Sequence, residues 1–203
     1  MFFQPGMAIT PELLKLLAHV PTHSLPKLAH PNFWFDLSDA HIMRIAVELA
    51  QKSYEEGGCP IGGVIVDNES RRILGKGHNT LVQENHPYNH GETSAMRDAG
   101  SIDFSRTTMF TTLTPCNVCA CLIEERGFRR LVIGYSPDRP QVLDASGTRQ
   151  ASNNEDRLRS RKIKVELLDD PKGIELYDRF REEKPDLDVI DWRGVAGLKD
   201  QDA

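Results

Sequence analysis

"TTMFTTLTPCNVCACLIEERG", residues 107–127, decides how the rest of the chain is read. Its first seven residues mix Thr with Phe and Met, side chains that suit a pleated, half-buried surface, and so predict a strand over 107–113. Pro115 is pre-set for the first turn of a helix. A helix is therefore expected from Cys116 to about Arg126, stopped by Gly127. "RRLVIGY" (129–135) follows as another strand.

The same reading extends in both directions. Upstream, Asp36 or Ser38 can cap a helix whose Ile42, Ile45, Ala46 and Leu49 share one face, and Gly57–Gly58 end it. "PIGGVIVD" (60–67) reads as a strand whose glycines signal close packing or a bulge. "NESRR" turns the chain, and "ILGKGHN" (73–79) returns as a hairpin partner. A loop through Pro87 leads to His90, and Glu92–Ala99 read as a helix stopped by Gly100. Downstream, residues 136–160 read as a long loop with a short helix near "NNEDRLRS". "IKVELLD" (163–169) is a last strand, and "IELYDRFREEK" (174–184) a helix with Ile174, Leu176, Tyr177 and Phe180 on its core side. Strands alternating with helices predict an α/β fold: a three-layer α/β/α sandwich around a mixed, roughly five-stranded central sheet. Residues 1–35, with Pro5, Pro11, Pro21, Pro26 and Pro31, read as an N-terminal arm before a domain spanning 36–203. Within the arm, "PELLKLLAH" (11–19) can be a short helix and "NFWF" (32–35) an anchor; a loosely ordered leader is the alternative.

Composition sets limits on function. The 203 residues are 39% hydrophobic and 27% charged, with a net charge of −5 and an isoelectric point near 5.8. Such a chain has no general attraction for nucleic acid or anionic membrane; "RLRSRKIK" (157–164) is its one dense basic stretch. It has no apolar run long enough to span a bilayer, and the N-terminus lacks the basic-then-apolar pattern of a signal peptide. Cys116, Cys119 and Cys121 cluster while Cys59 stands apart, which reads as ligation or reactivity in a reducing, cytoplasmic compartment rather than a disulfide framework.

Two cysteines three apart on a first helical turn can point their sulfurs one way, and a helix N-terminus favours thiolate. Alone, such a pair is often two buried core thiols. His90 and Glu92, in "HGE" (90–92), change the reading. His90, Cys116 and Cys119 supply the nitrogen and two sulfurs of a catalytic zinc site, which keeps one position for water. Glu92 is then placed to take and return a proton. A closed structural site would need a fourth ligand; Cys121 points elsewhere on a helix, and core packing is its expected role.

The order H-x-E…P-C-x-x-C resembles the zinc nucleobase deaminases. With "YEEGGCPIGGVIVDN" (54–68), "LGKGHN" (74–79), "HGE" and "TTLTPCNVC" (111–119), the chain is similar to the cytidine deaminase superfamily, and within it to fungal-type cytosine deaminase, over roughly 38–191. The resemblance implies hydrolytic deamination of a small-molecule free base, cytosine to uracil first, within pyrimidine salvage. It implies a zinc cofactor on His90, Cys116 and Cys119, Glu92 as catalytic glutamate, and a homodimer in which "ERGFRR" (125–130) is a candidate contact. It implies that Asn79 binds the ring carbonyl, that backbone at Gly91 and Cys116 frames the ring, and that Asp191 receives the exocyclic amine. Without it, Asn79 reads as a turn residue bonding its own backbone. There are departures: Asp188 stands where the family carries an aromatic over the ring, Trp192 follows Asp191 instead of preceding it, and Tyr135 is the aromatic near the altered "YSPDRP" loop. The lost stacking must be replaced by Trp192, Tyr135 or residues of the N-terminal arm. These changes concern pocket walls, so another amino-heterocycle (guanine, a pterin) is the alternative substrate. tRNA adenosine is disfavoured, because Gly91 replaces an alanine typical of those enzymes. A silent deaminase-fold interaction protein is the non-enzyme alternative, and an intact Glu92 speaks against it.

Overall fold

The computed structural model describes residues 9–25, 37–137, 142–143, 149–150 and 154–188. The "NFWF" anchor, Asp191, Trp192 and most of the 136–153 loop lie outside the described residues. The central sheet comprises β1 (Gly62–Asp67), β2 (Ile73–His78), β3 (Thr107–Thr111), β4 (Arg130–Ile133) and β7 (Lys164–Leu167), in the order β2-β1-β3-β4-β7. β1 runs antiparallel to β2 and β3; β3, β4 and β7 are mutually parallel. The expected mixed, five-stranded sheet is therefore present. β5 (Val142–Leu143) and β6 (Arg149–Gln150) pair separately, inside what reads from the sequence as loop.

Side-chain alternation along the strands divides the core in two. Val64, Val66, Phe110 and Val132 face one layer, packed under α1 (Pro11–His19) and α2 (Asp39–Glu55). Ile65, Met109, Leu131 and Ile133 face the other, against α3 (Gly91–Ala99), α4 (Asn117–Glu125) and α5 (Asn154–Ser160). α6 (Pro171–Glu183) joins the α2 side, where Gly173 meets Val47. It starts three residues earlier than the periodicity predicts. Asp170 Oδ1 accepts from the N–H groups of Lys172 (3.1 Å) and Gly173 (3.0 Å), and Pro171 suits the first turn.

Two adjacent glycines explain how β1 is covered on both faces. A Cβ on Gly62 would lie 2.0 Å from the Ala46 carbonyl oxygen of α2; one on Gly63 would lie 2.6 Å from the Gly91 carbonyl oxygen of α3. Only hydrogen at these positions lets both helix backbones reach the strand. The register shift that glycine also hints at falls instead between Ile65 and Val66.

α1 docks through Leu13, Leu14, Leu17 and Ala18, which join the α2 core. Its C-terminal carbonyls are capped by a buried cation: Lys76 Nζ donates to the Val20 carbonyl (2.5 Å) and to that of Leu17. Burial pushes the Lys76 ammonium down to about 8.

Cys121 overturns one expectation. It is exposed, not packed in the core. The buried side of α4 is set by Cys119, Ala120 and Ile123; position 121 lies about 200° round the helix from Cys119 and from Ile123. The basic stretch 157–164 is extensively paired: Arg157 and Arg161 with Glu124 (2.8 and 2.9 Å), Arg159 with Asp156 (2.9 Å), Lys164 with Glu166 (3.0 Å). Among the described residues no helix is long and apolar enough to cross a membrane.

Asp39, in the first turn of α2, ties that helix to the sheet through Arg71 (2.7 Å) and Arg130. The Arg130 hydrogen bond, with help from Arg71, holds its carboxyl below the ordinary aspartate value. A carboxyl depressed by folding stabilises the fold above its unfolded pKa of about 4, and that contribution is lost as pH falls through the folded value. Asp39→Asn should therefore cost about 1 kcal/mol at pH 7. The two proteins should converge in acid. Urea denaturation at both pH values checks this; a pH-independent difference would assign the cost to packing.

Candidate active site

The strand register gathers the site at one end of the sheet. The C-terminal ends of β2, β3 and β4 lie beside the N-terminal end of β1, because Gly62 pairs with His78 and Gly63 with Thr111. Residues just past those ends are Asn79 and the Leu113–Cys116 turn. The floor beside them is apolar: Cys59, Ile61, Leu113, Tyr177 and Phe180 form a third buried cluster.

His90 and Cys116 are each the N-cap residue of a helix, α3 and α4. The two helices pack on the same sheet face, so their first turns converge. Thr93 braces the His90 backbone, accepting its N–H (3.0 Å). His90 Nδ1 lies 3.5 Å from Cys116 Sγ and 3.6 Å from Cys119 Sγ. The three donor atoms all lie within 4.8 Å of one another, and this is the one such group among the described residues. One imidazole nitrogen and two thiols fit zinc, and fit the site with one position left for water.

The two thiols titrate apart. A hydrogen bond from Cys119, and then the His90 ring, bring Cys116 down to about 4. Cys119 is pushed well up, first by its hydrogen bond to Cys116, then by burial and by the nearby Glu92 carboxylate. Folding thus favours the thiolate at Cys116 and the thiol at Cys119, and a cation bound by both sulfurs displaces the remaining proton.

Glu92 sits in the first turn of α3, 3% exposed. Gly91 abuts the Ile61 carbonyl, 3.0 Å from where its Cβ would be, so α3 begins against β1. Asn79 is fully buried. Leu81 N–H donates to Asn79 Oδ1 (3.0 Å), the turn bond that the plain reading of Asn79 expects. That bond also orients the amide, with its oxygen toward the backbone and its NH₂ as the donating edge. The Asn79 backbone is clamped by residues that carry no motif. Its N–H donates to the Ile61 carbonyl (2.8 Å), Gln83 Nε2 donates to its carbonyl (3.2 Å), and Ser53 Oγ lies 2.6 Å from the same oxygen.

Asp188 is buried and accepts a hydrogen bond from the Tyr177 hydroxyl (2.6 Å), with Arg181 3.7 Å away. Tyr135 lies edge-on to Tyr177, ring centroids 6.1 Å apart. Of the "ERGFRR" candidate contact, Phe128 is buried (2% exposed) and cannot serve, whereas Glu125 and Arg126 line a groove of about 590 Å³ with Met96, Arg97 and Leu122.

Residues 37–135 match the model of the cytidine and deoxycytidylate deaminase zinc-binding region. The cytosine deaminase of Candida albicans is 34% identical over 158 residues, 76% of this chain and 94% of that protein. The chain belongs to the cytidine deaminase superfamily. The superfamily's zinc-binding segment thus covers both helix N-termini and all three donors. A tRNA-specific adenosine deaminase of Haemophilus influenzae is 39% identical, over 48% of this chain and 58% of its own length. In fold, this superfamily member resembles a guanine deaminase from Nitrosomonas europaea, with a TM-score of 0.62 at 17% identity, over 90% of this chain and all of that one.

Proposed function

We propose that the chain hydrolyses the exocyclic amine of a free nucleobase, cytosine first, releasing ammonia. The observation that carries this reading is a buried carboxylate, Glu92, held two residues from His90 and beside Cys119, at the sheet end that also holds Asn79. Similarity to the Candida cytosine deaminase along 76% of the chain favours cytosine.

Zinc on His90, Cys116 and Cys119 supplies a Lewis acid that lowers the pKa of water toward neutrality. Glu92 accepts a proton from the attacking water and passes it to the ring nitrogen beside the reacting carbon. The water oxygen bonds that carbon; Glu92 then takes the remaining proton of the added hydroxyl and gives it to the amine nitrogen, so that the carbon–nitrogen bond breaks, the hydroxyl becomes a carbonyl and ammonia leaves. Asn79 donates its NH₂ to the ring carbonyl, the Gly91 and Cys116 backbones frame the ring, and Asp191 accepts from the amine. A site that pairs both polar edges rejects bases lacking them, because its own buried groups would be left unpaired. Trp192 or Tyr135 replaces the family aromatic. Asp188 in that place, bonded to Tyr177, gives guanine or another amino-heterocycle its standing as the second reading.

Steady-state ammonia release from cytosine, cytidine and guanine tests the substrate. Cytosine should lead; preference for guanine or cytidine overturns the pocket while leaving the chemistry. Asn79→Asp separates the two roles of that residue, since it keeps the oxygen that Leu81 uses and removes the NH₂. It should lower kcat/KM for cytosine about 10–100-fold. Wild-type kinetics would leave Asn79 a turn residue only.

A further inference from the structure

The turn that delivers Cys116 is held from a distance. Asn154 and Glu155, the first two residues of α5, grip Thr114 and Pro115, the two residues before Cys116. Asn154 is 6% exposed, and its Nδ2 donates to the Pro115 carbonyl (2.9 Å). Glu155 Oε1 accepts from the Thr114 hydroxyl (3.0 Å) and from the Ser136 hydroxyl (2.5 Å), bridging the segments that leave β3 and β4. Its other oxygen faces Arg159 (3.5 Å). Resting on the zinc reading of Cys116, we infer that Asn154 and Glu155 are positioning residues for the metal site: they set the Thr114–Pro115 backbone so that the Cys116 thiolate stays aimed at the metal.

The physical reason is the geometry of Cys116. As the N-cap of α4 it has extended, non-helical backbone (φ −68°, ψ 173°), and it is preceded by a proline, which has no N–H to donate. The helix does not secure the Thr114–Pro115 segment. The Thr114 N–H is held by the Tyr135 carbonyl (2.9 Å), and the α5 clamp adds a neutral bond to the Pro115 carbonyl and a charge-assisted one to the Thr114 hydroxyl. Partners behind a metal ligand fix its orientation, and their loss typically costs about 10–100-fold in metal affinity or activity.

The test compares full-length Glu155→Ala, Asn154→Ala and Glu155→Gln with the wild type, each loaded with zinc. Transfer of zinc to a chromogenic chelator should be about tenfold faster for both alanine variants, and kcat should fall with KM unchanged. Glu155→Gln keeps an oxygen acceptor for both hydroxyls and should restore wild-type release. Wild-type release rates in both alanine variants would overturn the inference. So would a rise in KM alone for Glu155→Ala, which would make Glu155 a substrate contact. A wild type that holds no zinc would overturn the metal reading itself, and that failure is visible before any variant is compared.

Discussion

Glu92→Gln should lose turnover by about 10²–10⁴-fold while keeping zinc and fold. Glutamine has nearly the volume of glutamate, so the 3%-exposed position stays filled and no cavity opens. It has no basic oxygen, so the proton of the attacking water has nowhere to go, and the ring nitrogen and the leaving amine lose their donor. The loss falls on kcat, because the proton moves only on the way to the transition state. Zinc content and ammonia release measured on one preparation decide it. A variant that keeps more than about a tenth of wild-type turnover would show that Glu92 is not the proton carrier.

Cys116→Ser should separate the metal from the helix. Cys116 Sγ does two things: it faces His90 Nδ1 at 3.5 Å, and it accepts the Cys119 N–H at 3.5 Å as the cap of α4. Serine is a strong N-cap, so α4 should start as before. A hydroxyl does not ionise near neutrality as the Cys116 thiol does at about 4, so the metal site loses an anionic ligand. Zinc affinity should drop by more than about 100-fold, beyond the usual cost of losing a supporting partner. The stabilisation that bound zinc lends the folded state should go with it. Competition with a chelator and melting with and without added zinc measure both effects. Full zinc retention would remove Cys116 from the ligand set.

The helix and strand order was legible because it rests on local rules. Ser38 caps α2 through the His41 N–H, the alternation Val64–Ile65–Val66 sorts the two sheet faces, and Pro115 precedes the helix that carries both cysteines. The errors were local rules met out of context. Core packing is expected of Cys121 because it turns away from Cys116 and Cys119 on the helix, yet the buried side of α4 belongs to Cys119, Ala120 and Ile123 and Cys121 is exposed. α6 began early because Asp170 offered a cap that apolar periodicity does not register.

The sequence by itself determined the α/β class, the mixed sheet and the candidate donors His90, Cys116 and Cys119, since spacing, capping and periodicity are properties of neighbouring residues. Only the tertiary structure decided what those donors do together. Nothing within 26 residues of chain tells His90 Nδ1 that it will face Cys116 Sγ; the packing of α3 and α4 on one sheet face brings them together. The same holds for the Asn79 backbone carbonyl, which Ser53 reaches from 26 residues away, and for Asn154 and Glu155, which reach the Cys116 turn from 39 and 41 residues away in sequence. Hydrogen bonds of this kind depend on direction and distance in space, and those are set only once the apolar faces have chosen their partners.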